Sequence, residues 1–308
     1  MKRNTLSTLI GLAACFALAW LPGCTEQNAH ASHGGKLHVV ATTGMVADLA
    51  RAVGGEHITV TALMAPGIDP HLYKASADAV GQLETADVIL YNGLGLEGKL
   101  GDLFVKLAHK RKVTAVTESV PRESLLDDGQ HYDPHIWFDV GLWAQCPAAV
   151  AEVLSEARPA LRETFQAAAK KYAAELRALH ERVKDDIGAI PKQRRVLITS
   201  HDAFRYFGRA YDMEVHGLQG ISTVDEAGVK DVQRVVDLVV TRGIKAIFVE
   251  TSVPKNTIEA VQSAAKERGR EVVIGGELYS DSMGDHAPEN TYIGMVEANV
   301  RLITGSLR

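Results

Sequence analysis

Residues 161–187 read LRETFQAAAKKYAAELRALHERVKDDI. Leu161, Phe165, Ala169, Tyr172, Leu176, Leu179, Val183 and Ile187 recur at gaps of three and four, which puts them on one face of an α-helix. Pro159 precedes the run and Pro191 follows it, with no proline or glycine between them until Gly188, so nothing inside those limits breaks the helix. About 27 residues at about 1.5 Å each give a length of roughly 40 Å, the span of a small domain. The stripe is too narrow for a membrane span and stops too soon for a coiled coil. It predicts a spine packed along both halves of the chain.

On either side of that spine the pattern changes to short apolar runs alternating with helical periodicity. Before it, residues 37–41, 57–63, 87–91 and 113–116 have strand length, and 45–53, 76–85 and 96–109 have helical spacing. After it, 195–199, 213–215, 246–249 and 271–274 read as strands, and 229–241, 257–268 and 291–302 as helices. Strands alternating with helices of these lengths imply parallel βαβ units with right-handed crossovers. The expected fold class is α/β: two small α/β lobes with mostly parallel sheets, at 36–158 and 191–308, joined by one long connecting helix at 159–190.

The N-terminus reads as an address rather than as fold. Lys2 and Arg3 precede an apolar run over 9–21 that ends in Leu21-Pro22-Gly23-Cys24, the pattern of a secretory signal over 1–23 and too short for a stable membrane anchor. Small residues before a cysteine resemble the lipobox of bacterial lipoproteins, in which that cysteine becomes a lipidated N-terminus. Pro22 departs from the usual residue at its place, and the alternative is an ordinary cleavage site with Cys24 incidental. Residues 24–35 are small and polar and read as a tether, in which His30 and His33 are solvated linker histidines. With Cys15 in the signal and Cys24 at its end, Cys146 is the one cysteine left for the mature body. No intrachain disulfide is then expected, and Cys146 reads as a small buried hydrophobe.

At 308 residues and 46% hydrophobic, the chain has ample material for a core. Its formal charge of -5 becomes -7 once Lys2 and Arg3 leave with the signal. That mildly acidic balance gives no footprint for a nucleic-acid partner, which needs a clustered basic surface.

Three histidines share a context. His71 and His135 each end an Asp-Pro-His tripeptide, Asp69-Pro70-His71 and Asp133-Pro134-His135. The proline fixes its own φ and biases the aspartate away from helix, a stiff entry that aims an imidazole. Behind His135, Ile136-Trp137-Phe138 is too apolar to leave in water and pins the segment to a core. His201 directly follows the strand over 195–199, at the carboxyl end where open α/β sheets place ligands. Asp281 lies past another strand in a loop flanked by glycine and serine. Two candidates from each half point to a cleft between the lobes. Three imidazoles and a carboxylate suit a divalent transition metal, although scattered structural histidines are the simpler reading of residues so far apart.

The segments around these four residues carry a resemblance. Gly67-Ile68-Asp69-Pro70-His71-Leu72-Tyr73, Asp133-Pro134-His135-Ile136-Trp137, Ser200-His201-Asp202-Ala203-Phe204 and Gly276-Glu277-Leu278-Tyr279-Ser280-Asp281 resemble the zinc- and manganese-binding solute-binding lipoproteins of bacterial ABC transporters, the cluster A-I metal-binding family. Gly217-Leu218-Gln219-Gly220-Ile221-Ser222-Thr223, Phe248-Val249-Glu250-Thr251-Ser252 and Thr291-Tyr292-Ile293-Gly294-Met295 fit the same family, so the resemblance spans nearly all of the mature chain. It implies two lobes on a single long helix, a transported zinc or manganese ion held by His71, His135, His201 and Asp281, and no catalytic residue. It also implies delivery to an ABC transporter membrane permease by an exported monomer, tethered through a lipidated Cys24 and facing the periplasm or the outer surface of the cytoplasmic membrane. Asp202 and Glu250 are the expected carboxylate partners of the ligating imidazoles.

The choice of metal is balanced. Manganese-selective members of that family tend to carry a carboxylate where this chain has His201. Zinc-selective members commonly carry a histidine-rich loop where residues 118–132 hold only His131. Three nitrogens favour zinc on intrinsic affinity, with manganese close behind. The alternative functions are a zinc hydrolase and a surface adhesin with a structural metal. The first lacks His-Glu-x-x-His and would need an open coordination position; the second gives a four-ligand cleft no evident use.

Overall fold

The computed structural model describes residues 35–308, apart from 128 and 130. The signal segment, Cys24, His30, His33 and the tether up to residue 34 lie outside those residues. In the first half, β1 (Leu37–Ala41), β2 (Ile58–Ala62), β3 (Val88–Tyr91) and β4 (Lys112–Ala115) form one sheet in the order β2-β1-β3-β4. All of its pairings are parallel. The crossovers run through α1 (Gly44–Gly54), α2 (Ala77–Thr85) and α3 (Gly101–Ala108). Thr43 and Ser76 cap α1 and α2 by accepting from Val46 N and Ala79 N, which satisfies a backbone donor at each helix start.

Period-two alternation sorts the side chains of these strands between two faces. Val39, Ala41, Val88 and Leu90 point into the main core with α1. Val40 and Ile89 point the other way, onto Leu83 of α2 and Phe104 of α3. The second half repeats the plan. Two parallel pairs, β5 (Val196–Thr199) with β6 (Glu214–Gly217) and β7 (Ala246–Glu250) with β8 (Val273–Leu278), lie side by side at β5 and β7. Leu197 and Phe248 face the main core, while Val196, Ile198, Ile247 and Val249 face α8 (Val229–Arg242) and α9 (Asn256–Glu267).

The spine is α6, Arg162–Gly188, 27 residues long. It buries Phe165, Ala169, Tyr172, Ala173, Leu176, Leu179, Val183 and Ile187; Leu161 falls in the preceding 3₁₀ turn and is half-buried. One side of α6 packs on α1, on α4 (Val140–Trp143) and on α5 (Pro147–Ala157), and further along it packs on α7 (Arg205–Tyr211) and α10 (Tyr292–Leu307). The main core therefore runs without interruption from Val39 in one lobe through Leu176 to Phe248 in the other. Each fully buried Leu, Phe or Val in it contributes about 1.5–3 kcal/mol. Two lobes that share one core on one helix have little freedom to hinge.

Two elements depart from the periodicity. Helix α7 is short and has Gly208 in its middle, so it reads poorly as a helix; the glycine is there because a Cβ would lie 2.8 Å from Met213 O and from a Val215 methyl. Strand β8 runs through Gly275-Gly276, which read as its end. At Gly275 a Cβ would come within 2.8 Å of Phe248 and 2.7 Å of Ser306 Oγ. These glycines let α10 and β7 press against the strand, and the strand delivers the chain three residues short of Asp281. Among the described residues no helix is long and apolar enough to cross a membrane.

Candidate metal centre

Asp133-Pro134-His135 leads into a 3₁₀ turn, Ile136–Phe138, whose three side chains are all buried. Asp133 Oδ1 accepts the backbone N–H of His135 at 3.0 Å and lies 2.7 Å from its Nδ1. The aspartate thus closes an Asx turn and orients the ring from the same atom. Trp137 Nε1 donates to Ser280 O at 3.0 Å, and Tyr292 Oη donates to Trp137 O at 2.6 Å. Phe138 stacks on Phe204 with ring centroids 4.1 Å apart. The apolar run behind His135 is therefore bonded and packed against the opposite lobe.

The first Asp-Pro-His repeats the turn in part: Asp69 Oδ1 accepts the backbone N–H of His71 at 2.8 Å. His201 sits two residues past β5. Glu250, the last residue of β7, accepts its backbone N–H through Oε1 at 2.8 Å and faces its Nδ1 through Oε2 at 2.5 Å. The Asp281 loop is fixed by Asn299 of α10, which bonds both Tyr279 N (2.9 Å) and Tyr279 O (2.7 Å), and by a 2.8 Å contact between the Ser252 and Ser280 hydroxyls. Each of the four candidates lies beyond the carboxyl end of a parallel strand or on the turn leading away from one.

The four candidates meet. His71 Nε2 lies 3.3 Å from His135 Nε2, which lies 3.4 Å from His201 Nε2. Asp281 Oδ2 is 3.6 Å from His71 Nε2 and 3.3 Å from His201 Nε2, and Asp281 Oδ1 is 3.5 Å from His135 Nε2. Ligand atoms around a tetrahedral ion bonded at about 2.0–2.1 Å are about 3.3–3.4 Å apart. The spacing matches that edge, and the carboxylate straddles the centre so that one or both of its oxygens face it.

The donor set also suits a cation. Asp133 and Glu250 occupy the Nδ1 sides of His135 and His201, which turns the Nε2 atom of each ring inward. Neither oxygen of Asp281 has a hydrogen-bond partner, although the residue is buried. A buried carboxylate without hydrogen-bond partners costs several kcal/mol unless positive charge stands beside it, which a protonated imidazole or a metal ion supplies.

Electrostatics agree. Burial pushes the His71 imidazole down to about 4, only partly opposed by Asp281, so that ring is neutral and available. Burial would lower His201 as well, but the Glu250 and Asp281 carboxylates outweigh it and hold it well above its ordinary value. Burial would raise Asp281, but the three imidazoles, His201 foremost, hold it far below the usual carboxylate range.

His135, His201 and Asp281 are 0–1% exposed and His71 is 7% exposed. His71 alone of the four borders open space, a cavity of about 630 Å³ shared with Pro134, Asp202, Gly220 and Asp225. Of the two expected carboxylate partners, Glu250 grips His201, but Asp202 touches no candidate; it faces Arg205 Nε at 3.9 Å, one turn along. The partner of His135 is Asp133, which the periodicity did not single out. Its signal is the Asp-x-His spacing itself, which sets a carboxylate where it can accept from the residue two positions on.

Two α/β lobes carried on one helix, with a buried nitrogen- and oxygen-donor cluster at their junction, define the two-lobed solute-binding proteins that take a metal ion. The chain belongs to the family described as the zinc-uptake complex component A, periplasmic, whose profile matches residues 39–305. It is 44% identical to the manganese-binding lipoprotein MntA of Bacillus subtilis (strain 168), over 96% of this chain and 98% of that one. It is 43% identical to the zinc-binding protein TroA of Treponema pallidum (strain Nichols), again over 96% and 98%. The solved structure of periplasmic zinc-binding TroA from Treponema pallidum superposes with a TM-score of 0.87 at 44% identity, covering 89% of this chain and 99% of that one.

Proposed function

We propose that this protein captures a divalent transition metal outside the cytoplasm and hands it to an ABC transporter permease, with His71, His135, His201 and Asp281 as the ligands. The observation that supports the reading is the Asp281 carboxylate, buried, without a hydrogen-bond partner and facing three convergent imidazole nitrogens. The family is one of solute-binding transport proteins rather than enzymes, and four protein ligands leave no open position for a reacting water.

Zinc is the favoured cargo and manganese the next. Three nitrogens and short ligand-to-ligand spacing suit zinc, and zinc outranks manganese at nitrogen sites. The straddling carboxylate supports manganese as well, since two oxygens facing the ion raise both coordination number and hardness. Competitive titration of metal-free protein with the two ions, with anomalous scattering to identify the bound one, tests this. Preference for manganese at equal free concentration would reverse the assignment, and loss of tight binding for both would end the reading.

The remaining assignments complete the proposal. Residues 36–158 form the first lobe, 159–190 the connector and 191–308 the second lobe. The signal over 1–23 exports the chain, a lipid on Cys24 holds it at the membrane as a monomer, and the tether over 24–35 keeps the loaded protein within reach of its permease. Mass spectrometry of the membrane-extracted protein tests the lipid: an unmodified Cys24 would remove the anchor.

A further inference from the structure

Three of the four metal-site residues are held by a buried turn, a strand end or a bonded loop, and the fourth sits on an irregular stretch whose flanks are exposed. His135 is backed by a buried aromatic turn, His201 by both oxygens of Glu250, and Asp281 by a loop bonded to α10. His71 rides on residues 63–76, a stretch with no helix or strand. Pro70 and His71 are themselves buried, but their neighbours face solvent, with Ile68 39% and Leu72 44% accessible. Apolar contacts anchor the two ends of the stretch, at Leu63 and Met64 and at Tyr73 and Ala75, rather than the residues next to His71.

Two hydrogen bonds from the opposite lobe supply what burial does not. Ser282 Oγ accepts the Gly67 N–H at 2.9 Å. Thr223 Oγ1 donates to Asp69 Oδ2 at 2.5 Å, the length of a hydroxyl bonded to an ionised carboxylate. Asp69 is a bridge: its Oδ1 holds the His71 backbone N–H while its Oδ2 takes the Thr223 hydroxyl. Thr223 is itself 6% exposed and sits in residues 218–228, which also form no helix or strand. A single carboxylate thus links the backbone of the most accessible ligand to a hydroxyl on the far lobe.

We propose that Thr223 and Asp69 form a latch that keeps the His71 segment closed over the ion and sets how fast the ion leaves. Thr223 is a positioning residue: it touches no ion and acts through Asp69 on His71. Because the shared core and the spine resist hinging, the ion exchanges by opening the His71 segment toward the adjoining cavity rather than by separating whole lobes. This rests on the metal-capture reading.

The test is stopped-flow release of zinc from the full chain into excess chelator, for the wild type, Thr223→Val, Thr223→Ser and Ser282→Ala. Losing a hydrogen bond to a charged group should speed release from Thr223→Val by about tenfold or more, and Thr223→Ser, which keeps the hydroxyl, should stay within about twofold of wild type. The metal-free melting temperature of Thr223→Val should move by less than about 4 °C, which a general loss of packing would exceed. Ser282→Ala should speed release as well, and it decides the matter if Thr223→Val fails to fold. Wild type that loads zinc, with release unchanged by these substitutions, overturns the latch alone. Wild type that takes up no zinc overturns the metal-capture reading and the latch with it.

Discussion

Glu250 grips His201 twice, through Oε1 on the backbone N–H at 2.8 Å and through Oε2 beside Nδ1 at 2.5 Å. Both contacts are fully buried, so ring and backbone are fixed together, with Nε2 toward the other donors. Glu250→Gln keeps the shape but removes the charge and supplies only one acceptor. It should weaken zinc binding by about 10–100-fold, measured by competition with a chelator of known affinity. Unchanged affinity would mean that His201 needs no carboxylate behind it.

Asp133 does for His135 what Glu250 does for His201, but from two residues away and through a single oxygen. Its other oxygen, Oδ2, has no hydrogen-bond partner and lies 3.5 Å from Arg205 Nη1. Asp133→Asn should also weaken binding by about 10–100-fold, and Asp202→Asn, which touches no candidate ligand, should leave it nearly unchanged. Equal losses in both variants would mean that general negative charge, rather than ring orientation, holds the affinity.

The pH dependence has a definite sign. In the metal-free fold His71 is pushed down to about 4 by burial, so below its ordinary value of 6.5 the unfolded chain takes a proton that the fold refuses. This histidine therefore lowers the stability of the metal-free protein as pH falls from about 6.5 toward 4. His201 is held above its ordinary value, so its contribution is complete below 6.5 and is lost as pH rises through its folded value. Chemical denaturation of metal-free His71→Gln across pH 4–7 should give a shallower acid slope than wild type; an identical slope would show that His71 is not the group responsible. Zinc binding near neutral pH should also release a proton from His201, visible as a calorimetric heat that changes with the ionisation enthalpy of the buffer.

Much of this was legible in the sequence because two periodicities carried it. The spacing from Phe165 to Ile187 fixes both the length and the buried face of α6, and the apolar runs around Val39 and Leu197 are long enough for strands and too short for helices. What sequence spacing could not supply was convergence: His71 and Asp281 are joined by packing, not by distance along the chain. Glycines misled where they serve close approach. Gly208 and Gly275 look like breaks, yet each sits inside an element because a neighbouring backbone or side chain needs the room. Asp133 is hidden for a different reason: a partner two residues from its histidine reads as part of the loop, and only the folded side chain brings it back to the ring.

Trp137 links the core to the site, and its loss should separate two effects. The ring is fully buried, its edge meets His135 with centroids 5.2 Å apart, and its N–H reaches Ser280 O beside Asp281. Trp137→Ala should cost about 3–5 kcal/mol of stability in the metal-free protein, read by denaturant unfolding. A bound ion stabilises the fold by about 2.7 kcal/mol at a hundredfold excess over its dissociation constant. If the indole only fills the core, the gain in Trp137→Ala at such an excess over its own constant should match wild type, and the constant itself should not move. If it also holds His135 and the Ser280-Asp281 turn in place, the constant rises, and more zinc is needed for the same gain in melting temperature. Contact with both site-bearing segments favours the second outcome. An unchanged zinc midpoint in the destabilised variant would confine Trp137 to the core.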